Sequence, residues 1–135
     1  MRCVSLIKSV GVDVTDVSRV ARLLEKHGNS FSDRIFTESE CVYCEQATSS
    51  EQSYAARFAA KEAVMKALRT GNAEGVRFVD IEVVRGEDGP PGIVLHGVAQ
   101  ELARAMGIES IHLSLSHTKS QAIAFCVAES KGEAS

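Results

Sequence analysis

Tryptophan is absent, proline occurs twice and aromatics make up 5% of the chain, so the core falls to Val, Ile, Leu and Ala. No apolar run approaches the roughly 20 residues of a membrane span, and Met1 to Ser9 lacks the apolar segment of a secretory signal. No membrane partner and a cytoplasmic location are therefore expected. Basic residues are not in excess: a net charge of -3 argues against wholesale nucleic-acid binding, and any anionic partner must meet a local basic patch. Neither Gly-x-x-x-x-Gly-Lys-Ser/Thr nor Gly-x-Gly-x-x-Gly occurs, which removes a P-loop and a dinucleotide fingerprint. Internal repeats and low-complexity segments are missing too. Of the four cysteines, Cys41 and Cys44 have metal or redox spacing, but no second pair completes a zinc site and no strand precedes them as in a thioredoxin-type motif.

What is present fits one ordinary globular domain over residues 1–135, large enough to bury roughly two-thirds of its unfolded surface. Its centre is Arg57-Phe58-Ala59-Ala60-Lys61-Glu62-Ala63-Val64-Met65-Lys66-Ala67-Leu68. Strong helix formers predict a helix from Glu51 to Arg69, with Thr70-Gly71 as its stop. At about 100° per residue, Ala55, Phe58, Ala59, Glu62, Met65 and Lys66 share a face. The opposite side is apolar as well, broken only by Arg57 and Lys61 on one flank. A helix apolar nearly all round is buried against several neighbours, so Glu62 and Lys66 need partners there. On an exposed helix the same pair would contribute only a few tenths of a kcal/mol.

Along the chain, alternation at Val10, Val12 and Val14 predicts a strand that passes at once into a helix capped by Thr15 or Asp16 and ended by Gly28. Asp13 sits at that junction, as a turn former or as a carboxylate presented to a metal or phosphate. The helix buries Val17, Val20, Ala21 and Leu24 and turns Arg19, Arg22 and Lys26 outward, a solvated face or a dock for an acidic partner. Phe31 to Phe36 reads as a short helical turn with Arg34 on its polar side. Thr37-Glu38-Ser39-Glu40 is a capping box for a helix reaching Gln46, and Ser49 with Gln52 a weaker one for the central helix. Val76 to Arg85 reads as a strand with Asp80 and Glu82 on its polar face. Glu87 to Gly92 is a turn, Ile93 to His96 the returning strand, and Val98 to Met106 a short helix closed by Gly107. A hairpin follows from Ile111 to Val127 with a turn at Thr118 to Ser120, and Glu129 to Ser135 reads as a polar tail. His117, beside hydroxyls and Lys119, suits a phosphate contact or a structural role, whereas His27, His96 and His112 lack that setting.

Three blocks, Gly11-Val12-Asp13-Val14, Arg57 to Ala63 with Lys66, and Ser114-Leu115-Ser116-His117-Thr118, together resemble the holo-(acyl-carrier-protein) synthase family, the short type of 4'-phosphopantetheinyl transferase. Arg34 to Thr37 with Glu40, Asp80-Ile81-Glu82 and Asp88 to Pro91 extend the likeness to nearly the whole chain. The resemblance implies an α+β fold, an antiparallel sheet packed against a long central helix. It implies transfer of the phosphopantetheine arm of coenzyme A to a serine of apo acyl carrier protein, releasing 3',5'-ADP. By residue matching, Asp13 and Glu62 would hold Mg²⁺, a cation content with one or two carboxylates plus phosphates and waters. Lys66 would be catalytic, neutralising phosphate charge or relaying the serine proton, with a metal-bound water an alternative base. Arg57, Lys66, His117 and Thr118 would contact coenzyme A. Arg19, Arg22, Lys26 and Arg34 would meet the acidic helix of the carrier. Family members are similar in being homotrimers with sites between subunits. One departure stands out: Glu45 to Ser53 carries no Lys or Arg, where the family often does. Two other readings compete, a non-catalytic carrier-binding module using the basic stripe and a redox or metal sensor using Cys41 and Cys44.

Overall fold

The computed structural model describes residues 2–69, 75–85 and 89–134. Strand β1 (Arg2–Asp16) leads into helices α1 (Val17–His27), α2 (Asn29–Ile35), α3 (Glu38–Gln46) and α4 (Ser50–Ala67). Then come β2 (Ile81–Arg85), β3 (Pro91–Leu95), α5 (Gly97–Ala105), β4 (Ser110–His117) and β5 (Gln121–Ala134). Both sheets are antiparallel: β1-β5-β4 forms one and the β2-β3 hairpin the other. The expected α+β arrangement around a long central helix is the one observed.

α4 is buried almost all round because neighbours cover each side: β1, β5 and β4 on one, α1, α3 and β2 on the others. Small residues permit the closest of these approaches. Ala59, Ala60, Ala63 and Ala67 of the helix face Ala122, Ala124, Cys126 and Ala128 of β5, all fully buried. Gly11 of β1 lies so near that a Cβ there would stand 1.9 Å from the Ala63 carbonyl oxygen. Phe31, Phe36, Tyr54, Phe58 and Phe78, most of the few aromatics, form a chain of ring contacts under α1 to α3 with centroids 4.8–6.3 Å apart. Large residues of β1 and β5 consequently point away from the helix, while Ile111, Leu113 and Leu115 of β4 pack against the core. Val10, Val12, Val14, Ile123 and Phe125 are 40–54% exposed, on one continuous outer face.

Three local expectations change. Phe78–Asp80 is a single 3₁₀ turn and not strand, because the Asp80 carboxylate accepts from the Arg77 backbone N–H at 3.2 Å and from its guanidinium at 2.9 Å. That closure buries Asp80, which alternation had put on the polar face. The polar tail is instead the end of β5, since Arg2 to Ile7 supplies a backbone ladder that pairs with residues 129–134. Asp16 occupies the α1 N-cap without a capping hydrogen bond; its carboxylate accepts from the Gln121 amide at 3.4 Å, and the Ser120 carbonyl takes the Val17 N–H. The expected stop of α4 at Thr70-Gly71 lies outside the described residues, as does part of the Glu87 to Gly92 turn; Arg69, just before that stop, adopts φ 57, the left-handed conformation usually left to glycine.

Candidate functional site

The close seating of β1 on α4 decides which side chains meet. Residues two apart on a strand share a face, so Gly11, Asp13 and Thr15 look toward the helix while the valines between them look out. Asp13 thus arrives beside α4 with one carboxylate oxygen accepting from Lys66 Nζ at 3.1 Å and the other from Thr15 Oγ1 at 2.9 Å. Lys66 donates also to the Val12 carbonyl at 2.9 Å. One helical turn back, Glu62 is half-buried, and burial followed by the charge of Asp13 raises its carboxyl above the usual range; Arg19 and Lys66 oppose that shift. Asp13, Glu62, Lys66 and Arg19 therefore form one electrostatic cluster on one chain, although residues 13 and 62 are far apart in sequence. A half-buried carboxyl held up by burial and by a neighbouring carboxylate is a group that a cation could relieve.

The sequence reading placed Glu62 and Lys66 in a buried stripe, and here the structure corrects it. Lys66 leans out along the strand, its side chain 57% exposed. Lys61, by contrast, is fully enclosed and bonded to Glu40 Oε1 at 2.8 Å, the Ile81 carbonyl at 2.6 Å and the Phe78 carbonyl at 3.1 Å. Glu40 in turn accepts from the Thr37 N–H and the Val83 N–H, each at 2.8 Å. The capping box holds as expected, with its Glu serving a second purpose as the counter-ion of Lys61. Burial pushes the Lys61 ammonium below its ordinary range and the Glu40 charge opposes this.

A second location gathers Arg57 and His117. They line a cavity of about 540 Å³ with Tyr43, Ser53, Arg85 and Leu115 among its other walls. Arg57 is 4% exposed. Its guanidinium lies 4.0 Å over the Tyr43 ring, Nη1 donates to Ser53 at 3.2 Å, and Nε is buried without a partner. Asp13, Glu62 and Lys66 do not line this cavity. On α4 Arg57 stands about 140° from Glu62 and about 180° from Lys66 at 100° per residue. One chain thus presents the two groups of residues in different directions. Thr118 takes no part in the cavity lining; its hydroxyl accepts from the Ser120 and Gln121 N–H groups and shapes the hairpin turn.

The basic residues of α1 are exposed as expected, as is Arg34 on α2. Arg19 lies 5.7 Å from the Phe58 ring centroid and within electrostatic reach of Glu62, so the stripe begins at the rim of the carboxylate cluster. Cys44 is buried and accepts from Ser53 Oγ at 3.3 Å. Burial raises the Cys41 and Cys44 thiols, the direction of an unreactive sulfur. Sequence reasoning missed Arg85 and Tyr43: the first follows a valine run read only as strand, and the second sits inside a motif read only for its thiols.

Comparison with known proteins gives a consistent picture. A 4'-phosphopantetheinyl transferase superfamily model matches residues 9–126. The chain is 43% identical to a holo-(acyl-carrier-protein) synthase of Solibacter usitatus, over 92% of this chain and 99% of the relative. The crystal structure of the Neisseria meningitidis holo-(acyl-carrier-protein) synthase superposes with a TM-score of 0.83 at 33% identity, over 91% of this chain and 98% of that one. The Helicobacter pylori synthase in complex with coenzyme A gives a TM-score of 0.77 at 30% identity, covering 88% of this chain and 98% of that chain.

Proposed function

Since the chain belongs to the 4'-phosphopantetheinyl transferase superfamily, we infer that it is a holo-(acyl-carrier-protein) synthase. It transfers the phosphopantetheine moiety of coenzyme A to a serine of apo acyl carrier protein. The serine oxygen forms a bond to the β-phosphorus as the bond to the departing 3',5'-ADP breaks, and the serine proton is released. The observation that carries the assignment of the reacting centre is the convergence of Asp13, Glu62 and Lys66 from β1 and α4.

Asp13 and Glu62 fit a magnesium site by their chemistry: hard oxygen donors, two in number, with the remaining positions left for phosphates and water. Bound there, the cation would neutralise diphosphate charge. Lys66 adds a positive charge beside the same oxygens. An ammonium already donating to a carboxylate and a carbonyl suits stabilisation of charge on the leaving phosphate better than proton removal. Arg57 and His117 receive the nucleotide phosphates in the cavity they line. Arg19, Arg22, Lys26 and Arg34 attract the acidic carrier and deliver its serine to the cluster that Arg19 borders.

These two halves look away from each other across α4, so a complete centre needs a second copy of the chain, one copy supplying carboxylates and the other the nucleotide cavity. A homotrimer meets that need. The outer sheet face of Val10, Val12, Val14, Ile123 and Phe125 is the contiguous apolar surface an obligate assembly would cover. No described helix is long and apolar enough to cross a membrane, and a cytoplasmic enzyme matches substrates of this kind.

The test is incubation with apo carrier protein, coenzyme A and Mg²⁺, followed by intact mass measurement of the carrier. A gain of one phosphopantetheine that EDTA abolishes is expected. No gain from fully folded protein, or gain unaffected by chelation, would overturn the transfer or the metal dependence respectively.

A further inference from the structure

Glu45 to Ser53, the segment leading into α4, brings no cation to the cavity that holds Arg57 and His117. A positive charge reaches the same cavity from elsewhere. Arg85, the last residue of β2, also lines the cavity and donates from Nη1 to the Tyr43 hydroxyl at 3.2 Å. Tyr43 also carries the Arg57 guanidinium on its ring face at 4.0 Å. A single tyrosine therefore organises two guanidinium groups, one stacked and buried, the other tethered by the phenol and exposed to the cavity. Two like charges collected on one ring repel unless an anion lies between or beside them. The buried Arg57 Nε, left without an acceptor, points to the same requirement. Ser49, Ser53 and Ser114 add hydroxyls around the space, the other usual partners of phosphate oxygens.

We propose that Arg85 is a substrate-binding residue that contacts a phosphate of the coenzyme A nucleotide, and that Tyr43 is the positioning residue that sets Arg85 and Arg57 around it. The proposal rests on the transferase reading given above. Arg85 thereby supplies, from the β2 end, the charge that the segment before α4 lacks. Guanidinium suits the role because its forked donors can bond the phenol with one nitrogen and a phosphate oxygen with another.

The experiment measures kcat and KM for coenzyme A and for 3'-dephospho-coenzyme A with wild type, Arg85→Ala, Arg85→Lys and Tyr43→Phe, with KM for the carrier protein as an internal reference. Arg85→Ala should raise KM for coenzyme A about tenfold while kcat and the carrier KM stay within about twofold; Arg85→Lys should recover part of the loss. Tyr43→Phe, which keeps the ring under Arg57 and removes only the acceptor of Arg85, should give a smaller rise of about threefold. A loss seen with coenzyme A but not with the dephospho substrate assigns the contact to the 3'-phosphate, and an equal loss with both assigns it to the diphosphate. The proposal is overturned if Arg85→Ala leaves the coenzyme A KM within twofold, or if it lowers kcat and thermal stability at unchanged KM. Absence of transfer by the wild type would instead overturn the parent function.

Discussion

Lys61 and Glu62 are neighbours in sequence on one helix, yet they occupy opposite electrostatic situations. Lys61 is fully buried, and three acceptors take its three protons while Glu40 supplies the balancing charge and is itself bonded by two backbone N–H groups. Glu62 is half-buried beside a second carboxylate, and burial and that charge outweigh the relief from Arg19 and Lys66. A satisfied ion pair joins α3, α4 and β2 into one body and has no capacity left for a ligand. A strained carboxylate pair has that capacity, and the rigid neighbour keeps it in place. The helix turns about 100° between the two residues, enough to separate scaffold from chemistry.

The contrast breaks most severely at Lys61. Lys61→Met should leave Glu40 as an uncompensated buried charge and reduce stability by about 3–5 kcal/mol in denaturant titration. Adding Glu40→Gln should return part of the loss, because the amide oxygen can still accept from Thr37 or Val83. If the single variant is as stable as wild type, the ion pair is not what ties these elements together.

At the neighbouring residue the effects split between activity and stability. Glu62→Gln should lower phosphopantetheine transfer by about 10²–10³-fold, the range of a lost electrostatic contact in a reacting centre. Measured without divalent cation at neutral pH, its melting temperature should rise by about 1–3 °C, since a desolvated charge facing Asp13 has been removed. A stability loss comparable to that of Lys61→Met would put Glu62 with the scaffold instead. Gly11→Ala connects the two regions. Its methyl group cannot fit against the Ala63 carbonyl oxygen without moving β1 off α4. An overpacking loss of about 1–3 kcal/mol should result, together with a drop in transfer, because Asp13 rides on the same strand. Equal activity at reduced stability would show that Asp13 finds Lys66 without that close seating.

Much of this arrangement was legible in the sequence. Helix formers over Glu51 to Arg69 gave α4 nearly as observed, and Thr37 with Glu40 gave the start of α3 through a local hydrogen-bond rule. The Asp13, Glu62 and Lys66 grouping came from residue matching, and the short contacts of Asp13 follow the reason for Gly11 that only coordinates display. That Lys61 is buried while Lys66 is exposed was not legible. Periodicity ranks faces by their apolar neighbours, whereas Lys61 is enclosed because Glu40, Phe78 and Ile81 converge on it from distant elements. Alternation in β5 marked a strand but not its buried side. There the alanines face the helix since only small residues fit, and Ile123 and Phe125 are left outside.

The smallest expected effect concerns a carboxylate that is stabilised where Glu62 is strained. Glu82 accepts from Ser39 Oγ at 2.7 Å and Thr37 Oγ1 at 2.9 Å and lies 3.0 Å from His96 Nε2. Hydrogen bonds from Ser39, then His96, hold its carboxyl below its ordinary 4.5. Between that lowered value and 4.5 the unfolded chain binds more protons than the folded one, so the contribution of Glu82 is complete above pH 4.5 and fades as pH falls through the folded value. Glu62, shifted upward, works in the other direction: its penalty is present at neutral pH and is relieved on acidification. Glu82→Gln should therefore reduce stability by about 1 kcal/mol at pH 7, and the gap from wild type should close below pH 4.5 in urea titrations at a series of pH values. A gap that persisted undiminished into acid would mean that Glu82 acts through packing at the α3 N-terminus and not through its charge.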